Sequence, residues 1–234
     1  MITPNFLIPF LWMINISEPK AEVVANIPLV VASIPVEINE AEILYKTLSI
    51  NSTALPSMEV LQLAMEGWEK LENELKSPVL TVIDFSLPST EKRLWVIDPS
   101  KGVILNHSVV SHGRNSGELL AKTFSNLPES FQSSLGFYKT AETYQGKHGY
   151  SLRLDGLEKG FNDQARNRAI VIHGADYANE EFAKSTGRLG RSLGCPALPT
   201  ELSAKVIDLI KDGSLLFIFG NDELYLKQSY LLQP

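Results

Sequence analysis

The side chains best suited to chemistry lie in one stretch, residues 168–197. An apolar, strand-like run there ends in His173-Gly174, and a glycine-rich loop (GRSLGC) then ends in Cys195, the only cysteine of the chain. A thiol reacts as the thiolate, and a neighbouring imidazole is the usual group that removes its proton. A lone cysteine between glycine and proline, following a histidine at a strand end, therefore predicts a nucleophile with its base.

The glycines of this stretch support the same interpretation. Gly190 and Gly194 allow backbone conformations that other residues avoid, so the loop can aim successive N–H groups at one point, as an oxyanion hole requires. Gly174 lets its carbonyl approach the second ring nitrogen of His173 and set its tautomer. The alternative is that Cys195 is a small buried apolar residue and His173 a structural histidine.

The elements that must position these residues are mostly strands. An apolar period of two predicts an antiparallel meander over residues 79–85, 93–98 and 103–110. Further strands are predicted over residues 136–140, 150–154, 169–172 and 215–219. Helices are predicted over 40–48, 58–75, with Ser57 as its N-cap, and 201–211. The predicted fold class is mainly β with added helices (α+β), a curved β-sandwich or barrel.

Composition limits the possible functions. Of the 234 residues 44% are apolar, which is enough for a core, and the formal net charge of −6 argues against nucleic-acid binding. A single cysteine excludes an intramolecular disulfide, and neither a CxxC pair nor an HExxH motif is present, so no metal is expected.

The N-terminal third of the chain differs in character from the rest. Residues 1–16 are apolar and uncharged, and three interpretations remain open: an atypical export signal, a membrane-proximal anchor or an arm that packs on the domain. The predicted organisation is an apolar segment and extended linker over 1–38, a helical segment over 39–77, and a catalytic domain over 78–234.

Several motifs resemble those of the YkuD-type L,D-transpeptidases. His173-Gly174 followed by Ser192-Leu193-Gly194-Cys195 is similar to their HG…[ST]HGC signature. The closer match is the murein L,D-transpeptidase catalytic domain branch, in which a GRSxGCPA loop replaces the SHGC loop. Other segments similar to that branch are residues 111–117, 124–126, 144–149, 151–157 and 162–168. The resemblance covers about residues 78–222.

The resemblance implies a YkuD-like fold and a mechanism without metal or cofactor. In that mechanism the Cys195 thiolate attacks the meso-diaminopimelate carbonyl of a peptidoglycan tetrapeptide stem, releases D-alanine and forms a thioester. An amine of a neighbouring stem then converts the thioester into a cross-link. His173 takes the thiol proton and later returns one. Backbone N–H groups around Gly194 and Cys195, with the Ser192 hydroxyl, stabilise the oxyanion.

The loop also departs from the common signature. Leu193 stands where a second histidine is usual, and Pro196-Ala197 replace a hydrophobic residue followed by Arg or Asn. If that arginine binds a substrate carboxylate in the main branch, another cation must do so here. Arg191 is favoured for its place in the loop, with Arg188 and Arg114 as alternatives.

Four further residues are expected to contact the substrate. His112 and His148 each precede a glycine, and Gly174 and Tyr150 flank the expected cleft. The alternative for both histidines is that they order loops through hydrogen bonds.

The sequence thus predicts an exported, monomeric peptidoglycan L,D-transpeptidase of the periplasm or cell envelope, with membrane association through residues 1–16 left open. The enzymatic alternative is an L,D-carboxypeptidase or another cysteine amidohydrolase that acts on cell-wall peptides. The non-enzymatic alternative is a wall-binding module with an inert cysteine.

Overall fold

The computed structural model describes residues 39–233. The expectations for residues 1–38, including export and membrane association, lie outside that range. Within it, none of the helices combines the length and the apolar character that crossing a bilayer would require.

Two helices precede the sheet, α1 (Glu40–Asn51) and α2 (Met58–Leu71). The Ser57 hydroxyl accepts from the Val60 N–H at 3.2 Å, as expected of an N-cap. The second helix ends earlier than predicted, because a 3₁₀ turn over Glu72–Glu74 follows it. The predicted apolar face of α2 packs against the sheet, and its Gly67 leaves room for the Phe137 ring.

Eight strands form one mixed sheet in the order β3-β2-β1-β8-β4-β5-β6-β7. Their bounds are β1 (Leu80–Asp84), β2 (Leu94–Asp98), β3 (Val103–Ser108), β4 (Gly136–Gly146), β5 (Gly149–Gly156), β6 (Val171–Gly174), β7 (Ala197–Leu198) and β8 (Leu215–Phe219). The predicted antiparallel meander of β1, β2 and β3 is confirmed. The pairs β1–β8 and β6–β7 are parallel, so the sheet is mixed.

The two edges of the sheet approach each other just beyond β3. The Ser111 N–H donates to the Ala197 carbonyl at 2.8 Å, which links the chain after β3 to β7 and nearly closes the sheet into a barrel. Three further helices lie after β6: α3 (Glu180–Thr186), α4 (Thr200–Ile210) and α5 (Glu223–Gln228). The prediction of a mainly β fold with added helices is confirmed.

One hydrophobic core joins the two parts of the described chain. It includes Leu48 and Leu61 from the helices and Val82 and Phe217 from the strands, all fully buried. The helices of segment 39–77 therefore pack as part of the same compact unit as the strands that follow residue 78.

Candidate active site

Two neighbouring strands bring the predicted base and nucleophile together. In the parallel pair of β6 and β7, His173 lies opposite Ala197 and Gly174 opposite Leu198. The same register, continued backwards, sets Val171 beside Cys195, and the Val171 N–H donates to Cys195 Sγ at 3.5 Å. Val171, whose N–H contacts the thiol, and His173, which carries the imidazole, are therefore two residues apart on β6, a backbone separation of about 7 Å.

The tautomer of His173 is set by its own strand. Ring atom Nδ1 lies 2.9 Å from the Gly174 carbonyl, which can only accept, so Nδ1 carries the proton and Nε2 is the basic nitrogen. Gly174 is needed here because a Cβ would lie 2.6 Å from Ser203 Oγ on α4. The contact expected from Gly174 is therefore present and requires no carboxylate.

A hairpin covers the outer face of His173. The β4–β5 turn, where Gly146 pairs with Gly149, carries Lys147 and His148. The His148 ring stacks on the His173 ring with centroids 4.3 Å apart. Burial lowers the pKa of His173 below 6.5, and the charges of His148 and Lys147 lower it further, while the Gly174 hydrogen bond opposes the shift.

The thiol of Cys195 is held in its neutral form. Sγ donates to the Ala169 carbonyl at 3.7 Å, and no hydrogen bond joins it to His173 within residues 39–233. Burial of the sulfur raises the pKa of Cys195 above 9.0, against the opposing effects of the Val171 N–H and the charges of Arg168 and Lys147. With the pKa of the imidazole lowered and that of the thiol raised, the resting pair is neutral.

Ser192 braces the turn that carries the cysteine. Its hydroxyl accepts from the Gly194 N–H at 3.0 Å and donates to the Cys195 carbonyl at 2.6 Å. Gly194 has φ +124°, a conformation that favours glycine, and a Cβ there would lie 2.8 Å from the Gln132 carbonyl. The Cys195 N–H makes no hydrogen bond to another described residue.

Comparison with known proteins identifies the family of this fold and site. A sequence model of the L,D-transpeptidase catalytic domain matches residues 53–219, which is more than half of the chain and includes both His173 and Cys195. The chain belongs to the L,D-transpeptidase catalytic domain family.

Several solved L,D-transpeptidases are distantly similar to this family member. An L,D-transpeptidase from Mycobacterium smegmatis is 15% identical with a TM-score of 0.39, over 62% of this chain and 59% of that one. An L,D-transpeptidase from Stackebrandtia nassauensis is 14% identical with a TM-score of 0.38, over 80% and 93% of the two chains. The chain thus spans about three fifths of the Mycobacterium smegmatis structure. No curated protein matches it.

Arg191, the favoured substrate-binding cation, is bound within the domain. Its Nη1 donates to the Arg114 and Gly117 carbonyls, both at 3.0 Å, and to Glu118 Oε1 at 2.7 Å. Arg188 pairs with the same Glu118 at 2.9 Å. Both side chains therefore tie the cysteine loop to the segment that follows β3, and both are ion-paired with Glu118.

His112 is fully buried, so the expectation that it contacts substrate needs correction. Arg93 Nη2 donates to His112 Nδ1 at 2.7 Å, and Nε2 then donates to the Gly117 carbonyl at 3.3 Å. Burial and the Arg93 charge lower the pKa of His112 to about 4. Its main-chain carbonyl accepts from the Ser192 N–H at 3.0 Å. This geometry fits the alternative, in which His112 orders the loops.

The two remaining predicted cleft residues, His148 and Tyr150, lie in different surroundings. His148 is exposed and lies against His173, as described above. Tyr150 is half-buried, and its hydroxyl donates to Asp208 on α4 at 2.9 Å.

Sequence reasoning missed two side chains close to the site. Lys147 lies in the hairpin turn next to His148, is exposed, and forms no ion pair with a described residue. Ser133 is buried, and its hydroxyl donates to the Gly194 carbonyl at 3.1 Å. The Lys147-His148 pair in the sequence could have pointed to the first, whereas nothing in the local pattern distinguishes Ser133 from the serines around it.

Residues 39–233 contain no cluster of three or more His, Cys, Asp or Glu side chains that could hold a metal ion.

Proposed function

We propose that this domain is a peptidoglycan L,D-transpeptidase that forms a thioester on Cys195 with a tetrapeptide stem and transfers the acyl group to an amine. The observation that carries the proposal is the pairing of β6 with the cysteine loop, which sets Cys195 beside the strand of His173 within the family's matched segment. The neutral resting pair has the protonation state that a thiol and its general base require.

The first half-reaction starts with a rotation of the thiol. The Sγ–H leaves the Ala169 carbonyl and turns toward His173 Nε2, which takes the proton as the sulfur attacks the meso-diaminopimelate carbonyl. The tetrahedral intermediate collapses as the imidazolium gives its proton to the departing D-alanine amine. A thioester on Cys195 and free D-alanine result.

In the second half-reaction the acceptor amine attacks the thioester carbonyl. His173 takes a proton from the attacking nitrogen, the C–S bond breaks, and the imidazolium returns the proton to the Cys195 sulfur. The products are an amide cross-link and the starting enzyme. Water in place of the amine gives the L,D-carboxypeptidase reaction, so the two activities share one intermediate.

The oxyanion is stabilised by the main chain of the cysteine turn. Because the Gly194 N–H is already bonded to Ser192 Oγ, and that hydroxyl to the Cys195 carbonyl, we assign Gly194 and Ser192 the task of shaping the turn. The Cys195 N–H, without a partner in the described chain, is the donor left for the oxyanion.

Recognition of the stem involves the exposed hairpin turn. Lys147 is the candidate for the substrate carboxylate, since Arg191 and Arg188 are both engaged with Glu118. His148, next to Lys147 in this turn, stacks on His173 and is proposed to contact the stem. Gly174 contributes through its carbonyl, which is bonded to His173 Nδ1. Tyr150 contributes through the hydrogen bond of its hydroxyl to Asp208 on α4. An activity on peptidoglycan requires export from the cytoplasm, and nothing in the proposed chemistry needs more than one copy of the chain.

Incubation of the full chain with purified sacculi, followed by mass analysis of the muropeptides, tests the proposal. We expect cross-linked dimers to increase, and Cys195→Ala to produce none while keeping the wild-type circular dichroism spectrum. Tripeptide stems without new dimers would indicate the carboxypeptidase alternative. Unaltered muropeptides with the wild-type chain would support the wall-binding alternative and overturn the proposal.

A further inference from the structure

Ser133 lies outside every motif of the cysteine loop and yet touches it. Its side chain is 1% exposed, and its hydroxyl has two partners: it accepts from the Gly113 N–H at 3.0 Å and donates to the Gly194 carbonyl at 3.1 Å. Its own N–H donates to Ser116 Oγ at 2.9 Å. Ser133 is thus fixed beside the cysteine turn and binds one atom of it, the carbonyl oxygen of Gly194.

That atom belongs to the peptide unit which also carries the Cys195 N–H. A trans peptide is planar, and its C=O and N–H point in opposite directions. The described chain has no cis peptide bond. Fixing the Gly194 carbonyl on Ser133 therefore directs the Cys195 N–H away from Ser133, where no described residue accepts from it.

The hydrogen bond from Ser133 matters because Gly194 itself does little to fix the orientation of the Gly194–Cys195 peptide. Gly194 has no side chain and φ +124°, so rotation of the Gly194–Cys195 peptide meets little local steric resistance. Ser192 restrains the Gly194 N–H and the Cys195 carbonyl, which belong to the two flanking peptide units. Ser133 is the side chain that restrains the middle one.

We propose that Ser133 is a positioning residue that holds the Gly194–Cys195 peptide so that the Cys195 N–H faces the oxyanion of the acyl-transfer reaction. This inference rests on the proposed function. It assigns Ser133 no contact with substrate: its effect reaches the reacting carbonyl through one peptide unit. A preorganised donor of this kind needs no reorientation when charge develops on the oxygen.

The test compares two reactions of the same thiol. Acylation of Cys195 by a tetrapeptide stem develops an oxyanion, whereas alkylation by iodoacetamide does not. In Ser133→Ala we expect the ratio of the acylation rate to the alkylation rate to fall at least about tenfold, since loss of a main-chain oxyanion donor costs roughly a hundredfold or more. Ser134→Ala is the matched control: it removes a neighbouring buried hydroxyl that donates to the Ser125 carbonyl and accepts from Arg168 Nη1. Any effect transmitted through Arg168 to the thiol acts on both reactions, so the ratio should stay unchanged.

Because the variant leaves two buried main-chain groups unpaired, it could fail to fold. In that case Ser133→Cys takes its place, since the cysteine thiol has the same shape, is somewhat larger and is a weaker donor than the serine hydroxyl. Peptide mapping then follows the reactions of Cys195 alone, and the ratio of the two rates should again fall. A ratio within twofold of wild type in the folded variant would overturn the inference and leave the proposed function intact. Absence of acylation in the wild-type chain would instead overturn the proposed function, and the inference with it.

Discussion

The imidazole rings of His148 and His173 stack at 4.3 Å with their planes inclined by 25°. His148 reaches this position from an exposed hairpin turn, so an exposed ring contacts the buried imidazole of His173. The stack excludes water from one face of His173 and brings a second titratable ring against it. Both effects lower the pKa of His173.

Removal of the His148 ring should therefore raise the pKa of His173 toward 6.5. We expect a larger rise in His148→Ala, which removes both the cover and the charge, than in His148→Phe, which keeps a stacked ring without the charge. Titration of the His173 ring protons by NMR measures both. An unchanged or lower pKa in His148→Ala would contradict the described role of the stack.

The neutral resting pair predicts the pH dependence of acyl transfer. A lowered pKa keeps His173 unprotonated, and so competent as a base, down to pH values below 6.5. The kcat/KM profile should accordingly fall on its acid side with a midpoint below 6.5, and alkylation of Cys195 should titrate with a midpoint above 9.0. A thiol midpoint well below neutrality would instead indicate a preformed thiolate–imidazolium pair.

His112 should make stability depend on pH. Its pKa is about 4 in the folded chain and 6.5 when unperturbed, so the unfolded state binds the proton more readily. The free energy of unfolding is therefore highest above pH 6.5, where His112 is neutral in both states. It decreases as the pH falls from 6.5 toward 4, by about 3 kcal/mol in total. Denaturant unfolding of wild type and His112→Gln across this interval measures the difference. Parallel pH dependence in the two proteins would exclude the assignment.

Lys147 and Arg191 can be separated as candidates for the substrate carboxylate. Lys147→Ala should raise KM for a tetrapeptide stem by about fivefold at low ionic strength, near the upper limit for an exposed ion pair, and salt should reduce the effect. Arg191→Ala should mainly lower the unfolding midpoint, because it loses Glu118 and two loop carbonyls. A salt-sensitive rise in KM only in the Arg191 variant would restore the sequence-based preference.

The residues that the sequence could identify are those whose signal is local. A strand end and a glycine loop single out His173 and Cys195 as the candidate pair, and the contact of His173 with the Gly174 carbonyl follows from their adjacency in sequence. The strand itself begins later than its apolar pattern suggests. Ala169 has φ 54°, outside the β region, and its carbonyl faces the thiol rather than a neighbouring strand.

Features that depend on distant partners were not predictable. Arg191 looks available in its loop until Glu118, far away in sequence, is brought to it by the pairing of Ser111 with Ala197. Ser133 acquires its significance only when the fold places it under Gly194. Strand pairing of this kind is set by the whole core rather than by a local pattern, which is also why the two-residue strand β7 escaped prediction.

The most direct test of the account is the intact mass of the full chain after brief exposure to a tetrapeptide stem. We predict one adduct equal to the stem without its D-alanine, mapped to Cys195, removed by hydroxylamine as expected of a thioester, and absent in Cys195→Ala. An adduct of the same mass on Cys195→Ala, or cross-linked products formed by that variant at the wild-type rate, would contradict the central claim that this thiol is the nucleophile.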